Sequence, residues 1–487
     1  MIHSQKIIFV FLFTFFAFTS FSQDVFDYRL DFFGSAGTGK YTPFWMTSNT
    51  YGMVPLQSNN GYVRGDMYRD HSFSNKIKFE AEVDVLTAAK HTSSLWIQQL
   101  YAAVSYRNMF FFIGAKEQYR SILDENLSMG DMTFSTNARP IPEINFAFPN
   151  FTDLPFTKGY IQFKADFAVG KSMDNNYILR TKTSDAIYIT GILLHHKSLF
   201  FKWEDPTGRF PLSGIIGLEH AAQWAGRFSR PDIGKNPASF KDFLRVILCE
   251  SGDSMADIGE QINILGNHLG TYNLKITYTN SKLQTSLYKQ HYFDDNSGLE
   301  MANWRDGIWG GEITLFNQPF LQKIVVEYLQ TTNQSGPMHF LFYDPILYPN
   351  ARGGGCDSYY NNYIYVTGWS NFGRGIGNAL LTSPEYNEDH ALSFNNNRVK
   401  AFHLGLDGEI TPHLFYRTLF TKMYGWGTYE YPFLKRKDNF SSLIECIYQP
   451  GKEKNWQLGL QFSFDKGDLY GNNFGCSLKL SKAGIIK

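Results

Sequence analysis

Apolar and polar side chains alternate with a period of two in one segment after another of this chain, and that pattern restricts it to strands. Ile77, Phe79, Ala81, Val83 and Val85 alternate with Lys78, Glu80, Glu82 and Asp84. Ile161, Phe163, Ala165, Phe167 and Val169 alternate with Gln162, Lys164 and Asp166. The same rule governs Tyr272, Leu274, Ile276 and Tyr278; Phe402, Leu404, Leu406 and Ile410; Trp456, Leu458, Leu460, Phe462 and Phe464; and Phe474, Cys476, Leu478 and Leu480. Successive side chains on a strand point to opposite faces, so each set defines one apolar and one polar face. A soluble sandwich alternates as well. The charges on one polar face, Lys78, Glu80, Glu82 and Asp84, suit a wet lumen instead. Tyr278, Tyr292 and Trp456 at strand ends suit the aromatic girdles of a membrane interface.

Beyond its N-terminal end the chain has no apolar run of the ~20 residues that a membrane-crossing helix needs. Lipid offers no partners to open backbone groups, so strands can cross it only as a closed barrel. Aromatic residues make up 17% of the chain, with 44 Phe and 29 Tyr, yet the mean hydropathy is −0.28. A wall that is apolar outside and polar inside gives that mixture. The expected fold is all-β, an antiparallel outer-membrane β-barrel over residues 23–487. Lys and Arg number 45, and so do Asp and Glu, which leaves no basic footprint for nucleic acid.

The N-terminus has the three-part layout of a secretory signal. Lys6 precedes an apolar run from Ile7 to Phe18, and Ser20 and Ser22 flank Phe21. Cleavage is expected after Ser22. An uncleaved anchor is the alternative, but the run is short for a span. No Cys lies near the cleavage site, which argues against a lipid anchor. The cysteines, Cys249, Cys356, Cys446 and Cys476, form no C-x-x-C pair, and their disulfide pairing stays open.

One segment departs from the alternation. Phe240, Phe243, Leu244, Ile247 and Leu248 form the stripe of an amphipathic helix, with Pro237 before it and Gly252 beyond. The stretch 217–226, GLEHAAQWAG, is short, contains Ala and reads as helical. Together they point to a partly helical insertion at about 205–268, plugging the lumen or capping one mouth. Loops at 124–158 and 333–397 are also long, and long loops of such barrels face outward.

Catalytic patterns are weak. Gly34 to Tyr41 approaches the phosphate-cradling G-x-x-x-x-G-K-[S/T], but Tyr41 replaces the metal-binding hydroxyl and Pro43 opposes the helix. His195 and His196 are adjacent and so point to opposite faces of a strand. Glu219-His220 lacks the H-e-x-x-h spacing of a zinc protease, and no G-x-S-x-G elbow occurs. No enzyme activity, metal or cofactor is expected. The richer feature is aromatic and amide-laden. It comprises Trp304, Arg305 and Trp309, then Tyr359, Tyr360, Asn361, Trp369 and Arg374. Rings cover the C–H faces of sugars, and amides and guanidinium groups bond the hydroxyl and carboxylate rim. The competing reading is a membrane girdle or loop packing.

The segments GTGKYTPFWMTSNTYG (37–52), NNGYVRG (59–65), GLEHAAQWAG (217–226), GNHLGTY (266–272) and YYNNYIYVTGWSNFGRGIGNALL (359–381) resemble the Wzi-type capsule-assembly family, in its Bacteroidetes version. The resemblance implies an outer-membrane barrel of about 18 strands with an added helical part. It also implies a non-catalytic, lectin-like role in holding capsular or extracellular polysaccharide at the cell surface. Partners would then be that polysaccharide, outer-membrane lipid and the capsule export machinery. Two departures stand out: the chain ends Ala-Gly-Ile-Ile-Lys487 without a terminal aromatic, and Asp24–Phe33 reads as strand where a helical bundle would follow the signal. The alternatives are a channel for small solutes and an outer-membrane hydrolase.

Overall fold

Where apolar and polar residues alternate, the chain forms strands, and the strands close on themselves. The computed structural model describes residues 26–230, 236–334, 336, 357–451 and 455–486. The expected signal and its cleavage site lie outside the described residues, as does Cys356. Eighteen strands form one antiparallel sheet. In chain order they are β1 (Phe26–Thr38), β2 (Gly61–Ser72), β3 (Ile77–Ala89), β4 (Leu95–Tyr106), β5 (Met109–Ala115), β6 (Glu143–Asp153), β7 (Ile161–Lys171), β8 (Leu193–Trp203) and β9 (Leu212–Trp224). They continue with β10 (Asn267–Thr279), β11 (Leu283–Phe293), β12 (Gly307–Leu315), β13 (Lys323–Gln330), β14 (Val399–Thr411), β15 (Leu414–Gly427), β16 (Pro432–Tyr448), β17 (Trp456–Gly467) and β18 (Asn473–Ile486). Each pairs with its neighbours in sequence, and β1 closes on β18 from Phe26↔Ile486 to Thr38↔Phe474. Closure leaves no open edge for lipid to meet.

The alternation runs apolar outward. Trp456, Leu458, Leu460, Phe462 and Phe464 on β17 are all exposed, while Ser463 and Asp465 are buried. A soluble sandwich would reverse that order, so the outer face is the one lipid covers. Inside, the polar face is paired. Arg64 Nε donates to Asp84 Oδ2 at 2.8 Å and Arg64 Nη2 to Glu117 at 2.9 Å; Lys479 lies 3.2 Å from Asp31. Among the described residues no helix is long and apolar enough to cross a membrane.

The two ends of the barrel differ. Turns such as 73–76, 107–108 and 412–413 join strands at the end where β1 begins and β18 finishes. Connections 39–60, 116–142, 172–192, 225–266 and 331–398 leave the other end, which is the extracellular one by the asymmetry of such barrels. Three of these loops turn inward. Phe44, Trp45 and Met46, in helix α1 (Phe44–Thr47), join Leu127, Met129, Met132, Tyr360, Trp369 and Leu381 in one core. Wall residues Ile308, Val325, Val399 and Leu419 pack on it from their inward faces. Wall polar groups hold it in place. Glu327 accepts from the Ser128 hydroxyl and the Met129 amide, each at 2.7 Å, and His403 Nε2 lies 2.7 Å from Leu127 O. A side chain at Gly405 would sit 2.5 Å from Leu127 O, so glycine lets the loop touch the wall.

The insertion differs from expectation in extent and place. Residues 217–224 are not helical: they belong to β9, paired along its length with β8 and β10. The segment between strands therefore narrows to 225–266. Its main helix, α2 (Phe240–Leu248), starts at Ser239, which forms a reciprocal capping box with Asp242. The helix neither plugs the lumen nor caps a mouth. Phe243 stacks on Trp224 at 5.6 Å, and Val246 packs with Ala222, Trp224 and Leu265. Ala222 and Trp224 share their face of β9 with exposed Ile216 and Leu218. The helix therefore lies against the outside of the wall, and the plug is made by the long loops.

Candidate functional site

The extracellular loops separate the aromatic candidates into two groups. Tyr359, Tyr360 and Trp369 are fully buried in the plug. The Tyr359 hydroxyl donates to Asp306 Oδ2 at 3.1 Å, the Trp369 indole N–H donates to Thr133 O at 2.8 Å, and the Tyr360 hydroxyl donates to Met132 O. Asn361 is spent on Phe394, accepting from its amide and donating to its carbonyl, both at 2.9 Å. Arg374 is buried too. Its guanidinium donates to Thr47 O at 2.7 Å and Val54 O at 2.6 Å, and meets Glu385 at 2.9 Å. These five residues fasten loops together, and their polar atoms are engaged by neighbouring groups of the plug.

Trp304, Arg305 and Trp309 are exposed. Trp309 shares its face of β12 with exposed Ile313, while Ile308 points inward and is buried. Trp304 meets Trp309 edge-on at 6.4 Å, and the Lys289 ammonium lies 4.2 Å from the Trp309 ring. They sit on the outer rim of the wall, where interfacial aromatics belong.

A different group gathers at the extracellular face. Gly52 and Pro55, Lys90 and His91, Arg139, and Phe372 with Glu385 come from four loops and line a cavity of ≈ 330 Å³. Arg139 borders it and also a deeper cavity of ≈ 620 Å³ that reaches Arg120, Glu143 and His196. The Arg139 guanidinium lies 4.0 Å from the Trp96 ring and 4.4 Å from the Phe372 ring. Its Nη2 donates to His91 Nδ1 at 3.0 Å. His91 Nε2 lies 3.2 Å from Gly52 O, a contact that sets the tautomer with the proton on Nε2. A side chain at Gly52 would come within 2.8 Å of Arg139 Cγ, and Gly52 has φ +69°, so glycine alone fits there.

The electrostatics of this group are unbalanced. Among the described residues no carboxylate forms an ion pair with Arg139, which is 7% exposed. Burial, with the nearby Arg374 charge, pushes its guanidinium down to about 9. Burial, then the Arg139 and Arg374 charges, hold His91 down to about 3, so it stays neutral. Glu385 is committed to Arg374, and burial raises its carboxyl. The result is a buried cation flanked by two rings, with exposed Lys90 beside it. Sequence reading missed it because its members lie in separate loops with no local spacing to mark them.

Comparison with known proteins bears on the whole chain. The family model for capsule assembly protein Wzi matches residues 45–382. Among solved structures the chain is similar to Wzi of Escherichia coli, described as an outer-membrane protein involved in group 1 capsule assembly and a carbohydrate-binding β-barrel. That likeness covers 93% of this chain and 83% of the other, at 12% identity and a TM-score of 0.58. OccAB2 of Acinetobacter baumannii aligns over 95% of this chain and 98% of its own, at 9% identity and a TM-score of 0.48. A putative ISWI chromatin-remodeling complex subunit of Saccharomyces cerevisiae is 32% identical over 110 residues. That match takes in 23% of this chain, and the chain spans only 9% of that curated relative. The family model spans well over half of the chain, and the fold is that of an outer-membrane barrel; the chain belongs to the Wzi capsule-assembly family.

Proposed function

We propose that this outer-membrane protein acts in capsule assembly as a non-catalytic binder of acidic polysaccharide, and that Arg139 is the group that takes the sugar carboxylate. The observation that carries the reading is a buried guanidinium at the extracellular mouth that, among the described residues, forms no ion pair with a carboxylate. A planar guanidinium matches a carboxylate bidentately. Phe372, which lines the cavity beside the guanidinium, would cover the apolar face of a sugar ring, while Trp96 backs the guanidinium. Lys90 adds a second, solvated cation. Family membership supports the capsule role, and the carbohydrate binding described for E. coli Wzi supports the glycan. On this reading the signal is removed after Ser22, and Trp304, Arg305 and Trp309 serve the membrane interface first.

A charge-assisted bond contributes about 1.5–3 kcal/mol, so Arg139→Gln should weaken binding of the strain's own acidic capsule by about 10- to 100-fold. Purified protein on a glycan-coated sensor reads this, with heat-modifiable gel migration as the control for an intact barrel. Equal binding by the variant and the wild type, or loss of the barrel without loss of specific binding per folded molecule, would remove Arg139 from the site.

A further inference from the structure

We infer that His220, Cys249 and His268 form a binding site for a zinc-like, thiolate-seeking metal ion on the outer wall of the barrel. His220 lies on β9 and His268 on β10, opposite neighbours in adjoining rungs of the ladder, where Ala222 pairs with His268. Both histidines share the outward face with Leu218 and Leu274, and both are buried because α2 covers them. Cys249 follows the last residue of that helix.

The geometry fits a metal better than it fits three unrelated side chains. His220 Nε2 lies 2.9 Å from His268 Nδ1, and Cys249 Sγ lies 3.5 Å from the first and 3.8 Å from the second. A tetrahedral zinc ion places nitrogen ligands about 3.3 Å apart and sulfur about 3.5 Å from nitrogen. The three measured separations leave a point about 2 Å from every donor, close to the bond lengths zinc makes to nitrogen and sulfur.

Two further features aim the donors. His268 Nε2 lies 2.8 Å from Leu265 O; the proton it gives that carbonyl leaves Nδ1 with its lone pair toward the other two residues. A backbone carbonyl on the distal nitrogen is the usual orienting partner of a metal-bound imidazole. Cys249 holds the left-handed conformation, φ 57° and ψ 46°, at a position where helices usually place glycine. A cysteine kept there turns its thiol back toward the wall. Lys197, which pairs with His220 across β8 and β9, donates to Ile247 O and lies on the same side. His195 packs 6.2 Å from the His220 ring but points Nδ1 at Ala168 O. Three protein ligands then leave one position for water or a small donor, on the side where Cys249 is exposed. The ion would bind helix 240–248 to two strands at once; binding would release the Cys249 proton, while the proton His220 Nε2 gives to His268 Nδ1 would move to His220 Nδ1.

The test uses tag-free, full-length protein extracted from outer membranes in detergent, stripped with a chelator and titrated with Zn2+, Co2+ or Cu+. One equivalent of Zn2+ should bind and slow alkylation of Cys249 at least 10-fold. Co2+ should give a thiolate-to-metal charge-transfer band. Cys249→Ser and His268→Gln should each abolish the band while the barrel migrates normally on gels, and Cys446→Ser should keep it. Tighter retention of Cu+ than Zn2+ by the same three residues would support the site and name its ion. No stoichiometric binding above the Cys249→Ser variant, alkylation unchanged by metal, or Cys249 found in a disulfide would overturn the proposal and leave a plain histidine–histidine hydrogen bond.

Discussion

Arg139 and Arg374 stand in the same wall of loops and do opposite things. Arg374 has two carbonyls and Glu385 around it, so its charge is used up by the fold. Among the described residues the Arg139 guanidinium meets two rings and a neutral imidazole and forms no ion pair. Composition cannot distinguish them, because both are arginines near aromatics; only the carboxylate's position does. Tyr359, Tyr360 and Trp369 teach the same lesson, since a ring that stacks on sugar and a ring that fills a plug are written with the same letters. His91 allows a pH test. Its folded value near 3 lies below the 6.5 of an exposed imidazole, so the unfolded chain takes up the proton first. The packing it supports is intact above pH 6.5 and is lost progressively as pH falls toward 3. Thermal melts between pH 7 and 4 should show that slope, and His91→Gln should flatten it; an identical slope in the variant would assign the effect to other groups.

At the level of elements, legibility followed burial on one face. The strands with a lipid side and a lumen side were readable, including the last, which runs to Ile486. Residues 217–224 were not, because that end of β9 is covered twice. Glu219 to Trp224 are all buried, by the plug inside and by α2 outside, so the alternation disappears. Helix 240–248 was readable from its own stripe, but its docking surface was not, since nothing local says which face of a barrel a helix meets. The helix also offers a clean local test. Ser239→Ala removes the side chain that accepts from the Asp242 amide and should cost about 1 kcal/mol. Hydrogen exchange should quicken about fivefold within 240–248 and stay unchanged in β9 and β10. Exchange that quickens equally in the strands would mean that helix and wall open as one unit.

The whole molecule is a barrel filled from its own extracellular side. Loops 39–60, 116–142 and 357–398 meet in the lumen and are bonded to the wall at Glu327, His403 and Gln290. A solute channel is the rival function, and it makes the opposite electrical prediction. In planar bilayers the intact protein should show almost no steady conductance, whereas a variant lacking 121–138 should conduct in steps typical of open porins. Large stable conductance from the intact protein would favour the channel. A plug like this was beyond sequence reading, because it depends on loops hundreds of residues apart meeting in space.

The seam between β1 and β18 has a kinetic consequence. The Phe44 amide donates to Asp465, 421 residues further on, and Trp45 bonds Thr421. The first loop of the chain thus finds its bonds to the wall on strands near the other end of the sequence. Contacts of such long range are slow to form. Until those strands are in place, the loop that begins the plug lacks its bonds to the wall, so its seating in the lumen is completed late. A chain halted before β17 would expose both an open edge and a loosely held aromatic loop, two surfaces that invite association with other chains.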